Sequence, residues 1–215
     1  MKLEQILNIY TTERYKISVQ AKGTDYSSWV VFPNYADYFE NYLGYYKSIE
    51  DQDKLINHAV KGIFVYKTKE YIHPHQSVWR DRGGNERGIR PEVSDAVIEG
   101  IMENEDKLNS AIDSKDFDTL YEFIKKNKVT KFGGLEIYDC ALRIGSKYNI
   151  SPKNVYLHGP TLIGLKTLEG KKLVEEDISN NKTVALKDLP ECLQNLNPIY
   201  IEDFLNFKRL DFMRI

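Results

Sequence analysis

Residues 73–91 bring together side chain types that bind metal ions and anions. His73 and His75 are two residues apart, so an extended chain would present both imidazoles on one side, as a metal site requires. No cysteine is close in this stretch, and Asp81 is its one obvious third ligand. A histidine pair that flanks a proline is more typical of a polar loop, and we predict no metal site and no cofactor.

The same stretch is rich in arginine. Arg80, Arg82 and Arg87 lie among three glycines, and Arg90 follows them. Guanidinium groups can clamp phosphates through paired hydrogen bonds, and glycines would let such a loop adapt to a ligand. A solvated linker explains the composition equally well, so the sequence leaves both interpretations open.

A second candidate segment spans residues 127–168. Its pattern predicts a helix, a tight connection with the sequence Lys-Phe-Gly-Gly at residues 131–134, and a second helix. Glycines let the backbone of such a hairpin approach a phosphate, and the free N–H groups at the start of the second helix attract anions. Lys128 and Lys131 would add positive charge beside them.

This second segment resembles the helix-hairpin-helix region of the 8-oxoguanine type of DNA glycosylase. In that family the hairpin is followed by a helix with an Asp-Cys pair and then by a Val-Asp-Val-His stretch. Here Asp139-Cys140 and Val155-Tyr-Leu-His158 take those places, and the resemblance covers about forty of the 215 residues. It implies a helical fold that binds nucleic acid, where the step from fold to ligand is an analogy.

The chain departs from that family at the positions that carry out its chemistry. Glu136 stands where the resemblance puts the nucleophilic lysine, and Tyr156 stands where it puts the activating aspartate. A Schiff base with a sugar carbon needs an amine, and a developing sugar cation needs a carboxylate. The resemblance therefore implies that glycosylase or lyase activity by the lysine mechanism is absent.

The resemblance also brings Glu136 and His158 together, which leaves an enzymatic alternative. A carboxylate beside an imidazole can act as acid and base in a different reaction on a base or a nucleotide. The structural alternative is that Glu136 is an acid in the first turn of one helix and that His158 stands at the start of the next helix. Cys140 is expected in the core, where a free cysteine behaves as a small hydrophobic residue.

Charge is segregated along the chain, although the net charge is only −2. Residues 125–172 hold ten bases against three acids, and residues 95–122 hold nine acids against two bases. A basic block between acidic ones indicates a phosphate-binding surface or, equally, ordinary solvated helices. With the hairpin and the arginine-rich loop, it predicts these phosphate-binding residues: Arg80, Arg82, Arg87, Lys128, Lys131, Gly133, Gly134, Lys147 and Lys153.

Two regions and a linker are predicted to position these residues. Residues 1–72 form a small tyrosine-rich α/β region, and residues 73–92 form the linker and the domain boundary. Within the first region, residues 28–32 and 62–66 are strand-like, and residues 35–46 carry aromatic side chains at helical spacing.

Residues 93–215 are predicted to form a helical domain. Apolar residues recur at helical spacing over 93–112, 117–124 and 137–148. Two shorter helices are expected, one after Pro160 and one over 201–208.

Composition excludes several classes of protein. With 41% hydrophobic and 29% charged residues, the chain can bury a core, which disordered proteins cannot. No stretch approaches the roughly 20 apolar residues that cross a bilayer, and the polar N-terminus is unlike a signal peptide. Two cysteines cannot build a disulfide framework. We therefore expect a cytoplasmic protein without a membrane partner, and the abundance of Lys, Asn, Ile and Tyr is typical of an AT-rich bacterial genome.

The sequence thus predicts a mainly α protein, with a degenerate helix-hairpin-helix, glycosylase-like C-terminal region preceded by a small α/β region. Its predicted function is non-catalytic binding of nucleic acid or a nucleotide. One alternative is an enzyme that processes a base or nucleotide with Glu136 and His158. Another is an interaction module that contacts a protein partner through the acidic helix at 93–112 and the tyrosine-rich region.

Overall fold

The computed structural model describes residues 1–24, 27–80, 83–84 and 86–215. This part of the chain forms two units, each with its own core. The smaller unit consists of Met1–Tyr15, Pro33–Ala36 and Pro152–Ile215, and the larger unit consists of Lys16–Phe32 and Asp37–Ser151. The linker predicted at residues 73–92 lies inside the larger unit, and the predicted helical domain contributes to both units.

Helices account for most of the regular structure, which confirms the mainly α prediction. The α-helices are α1 (Leu3–Thr12), α2 (Tyr35–Ser48), α3 (Gln52–Lys61), α4 (Pro91–Met102), α5 (Glu105–Asp113), α6 (Phe117–Lys126), α7 (Gly134–Lys147), α8 (Gly159–Gly170), α9 (Glu191–Gln194) and α10 (Pro198–Phe207). The strands are β1 (Tyr15–Ala21), β2 (Ser27–Phe32), β3 (Ile63–Tyr66), β4 (Lys69–Ile72), β5 (Trp79–Arg80), β6 (Glu86–Arg87), β7 (Val155–Tyr156) and β8 (Thr183–Val184). Among the helices of the described residues, none has the length and apolar character needed to cross a bilayer.

A four-stranded sheet with the order β2-β1-β4-β3 organises the larger unit. Strand β4 pairs antiparallel with both neighbours, so that Ile72 faces Gln20 of β1 and Tyr71 faces Phe64 of β3. Strands β2 and β3 lie where the β-branched and aromatic runs at 28–32 and 62–66 predicted them.

The aromatic stripe of α2 packs against this sheet. Phe32 of β2 contacts Tyr38 with ring centroids 5.2 Å apart, and Phe64 of β3 contacts Tyr42 at the same distance. Tyr38, Tyr42 and Tyr46 are buried. These rings are core residues, as their helical spacing predicted, because a sheet can bury one face of a helix that carries them.

Two helices replace the single long helix predicted over 93–112. Helix α4 ends at Met102 and α5 begins at Glu105, with Asn104 between them. The side chain amide of Asn104 donates to the Gly100 carbonyl at 2.9 Å, the acceptor that the backbone N–H of Asn104 would use in a continuous helix. This competition between side chain and backbone ends α4.

Helices α8 and α10 cross closely in the smaller unit, which confirms the two helices predicted after Pro160 and near residue 201. Gly164 of α8 lies against the backbone of α10, where an added Cβ would meet the Leu205 carbonyl oxygen at 2.1 Å. The crossing therefore requires a residue without a side chain at position 164.

Candidate functional site

Residues 127–133 connect α6 to α7 and are called the hairpin below. The Asp116 carboxylate accepts the Thr119 N–H at the start of α6, which fixes the entry to this helix pair. Lys131 in the hairpin has a left-handed backbone with φ of 77°. The Glu136 carboxylate accepts the Gly133 N–H at 2.9 Å, so an acid of the first turn caps the start of α7, as predicted for a structural role.

Three side chains that can ligate a metal meet beside the first half of α7. His73 and His75 follow β4, and Asp139 lies on α7. The Asp139 Oδ2 atom is 2.9 Å from His75 Nδ1 and 4.0 Å from His73 Nδ1. The two imidazole rings meet edge to face with centroids 4.5 Å apart. These three residues are called the histidine cluster below.

A buried arginine holds the carboxylate of this cluster. Arg143 lies one turn after Asp139 on α7 and is 0% exposed. Its Nη2 donates to Asp139 Oδ2 at 3.2 Å and to Gln76 Oε1 at 2.8 Å, while Nη1 donates to the Ala59 carbonyl at 2.8 Å and Nε donates to the Tyr42 hydroxyl at 2.5 Å. Every branch of the guanidinium is therefore bonded, and the Asp139 carboxylate has a fixed orientation.

The electrostatics of the site shift the pKa values of its two carboxyl groups in opposite directions. Burial alone would raise the pKa of Asp139, but the charges of His75 and Arg143 outweigh it and hold this pKa well below its usual range. Burial raises the pKa of Glu136, and the charge of Asp139 adds to this rise. Burial also holds the pKa of His73 well below its ordinary value. At neutral pH Asp139 is thus an anion beside a neutral His73.

A two-stranded ribbon, formed by β5 and β6, presents an aromatic ring and two arginines to solvent. Trp79 is 49% exposed and pairs across the ribbon with Arg87, while Arg80 pairs with Glu86. Gly88 follows β6 and has a φ of +83°. A Cβ added to this residue would meet the Ser77 carbonyl oxygen at 1.8 Å. Only glycine fits this position, because both the backbone angle and the close approach exclude a side chain.

Positive groups from two segments converge on Glu86 of the ribbon. The hydrogen bond from Arg90 lowers the pKa of Glu86, and the charges of Arg90, Arg80 and Lys131 lower it further. Lys131 belongs to the hairpin, so the ribbon and the hairpin lie close enough to share one electrostatic field. An anion bound there would meet cations from both segments.

The predicted phosphate-binding residues fall into separate places. Lys128 and Lys131 are exposed and line a depression of about 500 Å³ at the hairpin, together with Gly133. The Gly133 N–H is already bonded to Glu136, so this amide does not face an anion as predicted. Gly134 is exposed as the first residue of α7.

The remaining members of that set are dispersed. Lys147 ends α7, about 20 Å along the helix axis from the hairpin, because α7 rises about 1.5 Å per residue over its length. Lys153 belongs to the smaller unit, and Arg80 and Arg87 lie on the ribbon. Arg82 lies outside the described residues, as does Asp81, the third ligand that the sequence suggested for the histidine pair.

Glu136 and His158, the alternative catalytic pair, fall in different units. His158 precedes α8 as its N-cap residue, and its Nε2 is 3.6 Å from the Glu202 carboxylate of the same unit. Tyr156, at the position of the family's aspartate, is buried in β7. Glu136 in the first turn of α7 and His158 at the start of α8 have the positions that the structural alternative predicted for them.

Sequence reasoning missed three residues of the site. Two of them, Asp139 and Arg143, are four residues apart on α7, where most other residues are apolar. A charged pair at that spacing in an apolar helix was the sequence signal for a buried ion pair. Trp79 stands next to Arg80 in the sequence, and an aromatic residue beside a cation is a signal for nucleic acid. Cys140 is buried as predicted, and burial raises the pKa of its thiol to about 12.

Comparison of the chain with protein-family models, with curated proteins and with solved structures gave no significant match. The glycosylase resemblance stays a prediction. The geometry of the histidine cluster, the hairpin and the ribbon therefore carries the functional argument.

Proposed function

We propose that the larger unit binds nucleic acid through the ribbon and the hairpin. One observation carries the proposal: Trp79 is exposed on a ribbon where it is flanked by Arg80 and paired with Arg87. The half-exposed indole offers a face on which a base can stack, and cations beside it along the chain and across the ribbon suit a partner with a phosphate backbone.

The chemistry of this surface favours unpaired bases. An indole ring stacks on the face of any base, which contributes about 1–3 kcal/mol per base and needs no particular sequence. Arg80 and Arg87 can each form paired hydrogen bonds with a phosphate next to the stacked base. Bases within a duplex are stacked on each other and do not offer a free face, so we infer a preference for single strands.

The hairpin extends the same surface through its lysine side chains. The charge of Lys131 lowers the pKa of Glu86 in the ribbon. Lys128 lines the same depression as Lys131. Because Glu136 already accepts the Gly133 N–H, phosphate recognition here relies on side chain ammonium groups rather than on that amide. The acidic cap also limits how closely a phosphate can approach the start of α7.

The test is a titration of the full chain with fluorescein-labelled oligo(dT), with matched duplex DNA and with single-stranded RNA, over a salt series. We expect single strands to bind more tightly than duplex and the logarithm of affinity to fall linearly with the logarithm of salt concentration. Trp79→Ala should weaken binding about 5- to 150-fold, following the stacking energy. Lys131→Glu should also reduce the salt slope by about 1.

Lys147→Glu is the matched control for Lys131→Glu, since it makes the same charge change at the far end of α7. It should leave affinity nearly unchanged. Equal losses for the two lysine variants would mean that only net charge matters, and no binding at low salt would refute the proposal. Binding of free nucleotides in place of oligonucleotides would reassign the surface to small ligands.

A second candidate function is processing of a base or nucleotide. It is favoured by the opposite pKa shifts of Glu136 and Asp139 on one helix, with His75 held by Asp139, since acid–base sites separate their carboxyl groups in this way. Release or cleavage assays on nucleic acid, in which Glu136→Gln abolishes turnover without loss of binding, would support it. Borohydride should trap no Schiff base, because Glu136 replaces the lysine that would form one.

A further inference from the structure

The histidine cluster has the donor types and the spacing of a metal site. Two ligands of a tetrahedral ion with bonds of about 2.0–2.1 Å lie about 3.3 Å apart. The distances from Asp139 Oδ2, 2.9 Å to His75 Nδ1 and 4.0 Å to His73 Nδ1, bracket that value. One ligating atom from each residue lies within 4.8 Å of both others, so small side chain rotations would bring all three onto one ion.

The ligand atoms now take part in hydrogen bonds that an ion would replace. The His75 backbone N–H points at His73 Nδ1 at 3.4 Å, a long contact, so this nitrogen is an acceptor whose weak bond an ion can displace. The Asp139 carboxylate supplies a charged oxygen. His75 is partly exposed, with 28% of its side chain accessible, which gives an ion a path from solvent.

The surroundings of Asp139 match those of a metal-ligating carboxylate. Such carboxylates are themselves held by hydrogen bonds, which orient them and are nearly as important as the ligands. Gln76 and Arg143 both reach Asp139 Oδ2, and Arg143 is anchored on two further groups. The charge of Arg143 opposes a cation, and the nearby Glu136 carboxylate offsets part of this repulsion.

We propose that His73, His75 and Asp139 bind a divalent transition metal ion of the zinc type. Two imidazoles and one carboxylate suit Zn²⁺, Co²⁺ or Fe²⁺, whereas Mg²⁺ and Ca²⁺ prefer oxygen ligands alone. Three protein ligands leave a fourth position for water or a substrate atom. The site is independent of the nucleic-acid surface proposed above, and it replaces the polar loop that the sequence favoured for the histidine pair.

The ion would take the place of a hydrogen bond in the cluster. His75 Nδ1 lies at hydrogen-bond distance from Asp139 Oδ2, so ligation through this nitrogen replaces that bond. The neutral imidazole then carries its one proton on Nε2, and the ring needs no change of charge.

The test is calorimetric titration of the chelator-treated full chain with Zn²⁺, together with the visible absorption spectrum of the Co²⁺ form. We expect one ion per chain, and d–d bands of tetrahedral or five-coordinate intensity. His75→Gln and Asp139→Asn should each weaken binding about 100-fold or more. His58→Gln is the matched control, because His58 is another buried histidine of the larger unit that is bonded to Tyr45 instead.

Three results would overturn the proposal. One is the absence of stoichiometric Zn²⁺ binding by the folded wild-type chain. The cluster would then be held by the hydrogen bond between His75 and Asp139 alone. Another is equal affinity in wild type and His75→Gln, with circular dichroism showing both folded. The last is a thiolate charge-transfer band in the Co²⁺ spectrum, which would assign the ion to Cys192, the partly exposed cysteine. Loss of oligonucleotide binding bears on none of these readouts.

Discussion

Replacement of Arg143 by methionine tests how the larger unit tolerates a charge in its core. Arg143 is 0% exposed and donates hydrogen bonds to Tyr42, Ala59, Gln76 and Asp139. Methionine fills much of the same space without a donor or a charge. The variant therefore removes one of the two charged partners of Asp139 and leaves His75 in place, while changing the packing little.

The expected loss follows from the groups left without partners. Removal of one member of a buried ion pair costs about 3–5 kcal/mol, because the other charge stays buried. The Ala59 carbonyl and the Tyr42 hydroxyl each add about 1 kcal/mol when a hydrogen bond is lost. We expect the free energy of unfolding to fall by at least about 4 kcal/mol, a large part of the 5–15 kcal/mol typical of a domain.

The assay is urea unfolding followed by far-ultraviolet circular dichroism. With a slope of about 2 kcal/mol/M, the midpoint of Arg143→Met should fall by about 2 M. Arg143→Lys keeps the charge but loses the planar fork, so its loss should be about half as large. Lys125→Met is the matched control: it removes an exposed ion pair with Glu122 on α6, and its free energy should change by less than about 0.5 kcal/mol.

A double variant decides whether the ion pair causes the loss. Asp139→Asn removes the buried charge, so Arg143→Met combined with Asp139→Asn should be about 1–2 kcal/mol more stable than Arg143→Met alone. A loss below about 1 kcal/mol for Arg143→Met would refute the reasoning, as would a double variant no more stable than the single one. Either result would mean that the carboxylate is solvated or paired elsewhere.

Two further predictions concern packing and pH. Gly164→Ala should lower the free energy of unfolding by about 1–3 kcal/mol, because the added Cβ would meet the Leu205 carbonyl oxygen. Gly170→Ala is the control on the same helix: its Cβ would lie in open space, so this variant should be neutral or stabilising. Similar free energies for the two variants in urea unfolding would contradict the close crossing of α8 and α10. Burial lowers the pKa of His58 in the folded chain, whereas the pKa of this residue in the unfolded chain is about 6.5. The unfolded chain therefore binds the proton more tightly, and the free energy of unfolding falls as the pH drops below that value. His58→Gln should therefore reduce the slope of stability against pH between about 6.5 and 5, and an unchanged slope would refute it.

Local sequence patterns predicted the elements whose period is strong. The aromatic residues of α2, the β-branched runs of β2 and β3, and the apolar faces of α6 and α7 all form the predicted structures, because side chain period and burial agree within each segment. Strands β1 and β4 were not predicted, since about half of their residues are polar and the two strands pair with each other from segments distant in sequence. The break at Asn104 was missed because a side chain hydrogen bond, not the apolar period, ends α4.

The residue types of the candidate sites can be read from the sequence: the paired histidines, the clustered arginines and the lysines of the hairpin. It also fixed the structural roles of Glu136 at a helix start and Cys140 in the core, because both follow from position within one helix. Which of these residues lie close together depends on how the elements pack. Asp139 is more than sixty residues from His75, and Lys131 is more than forty from Glu86, so no local spacing links them. The packing of α7 beside the segment after β4 brings Asp139 and Arg143 to His75 and Gln76. Burial of apolar surface aligns the two elements, and the charged side chains take their positions from that alignment.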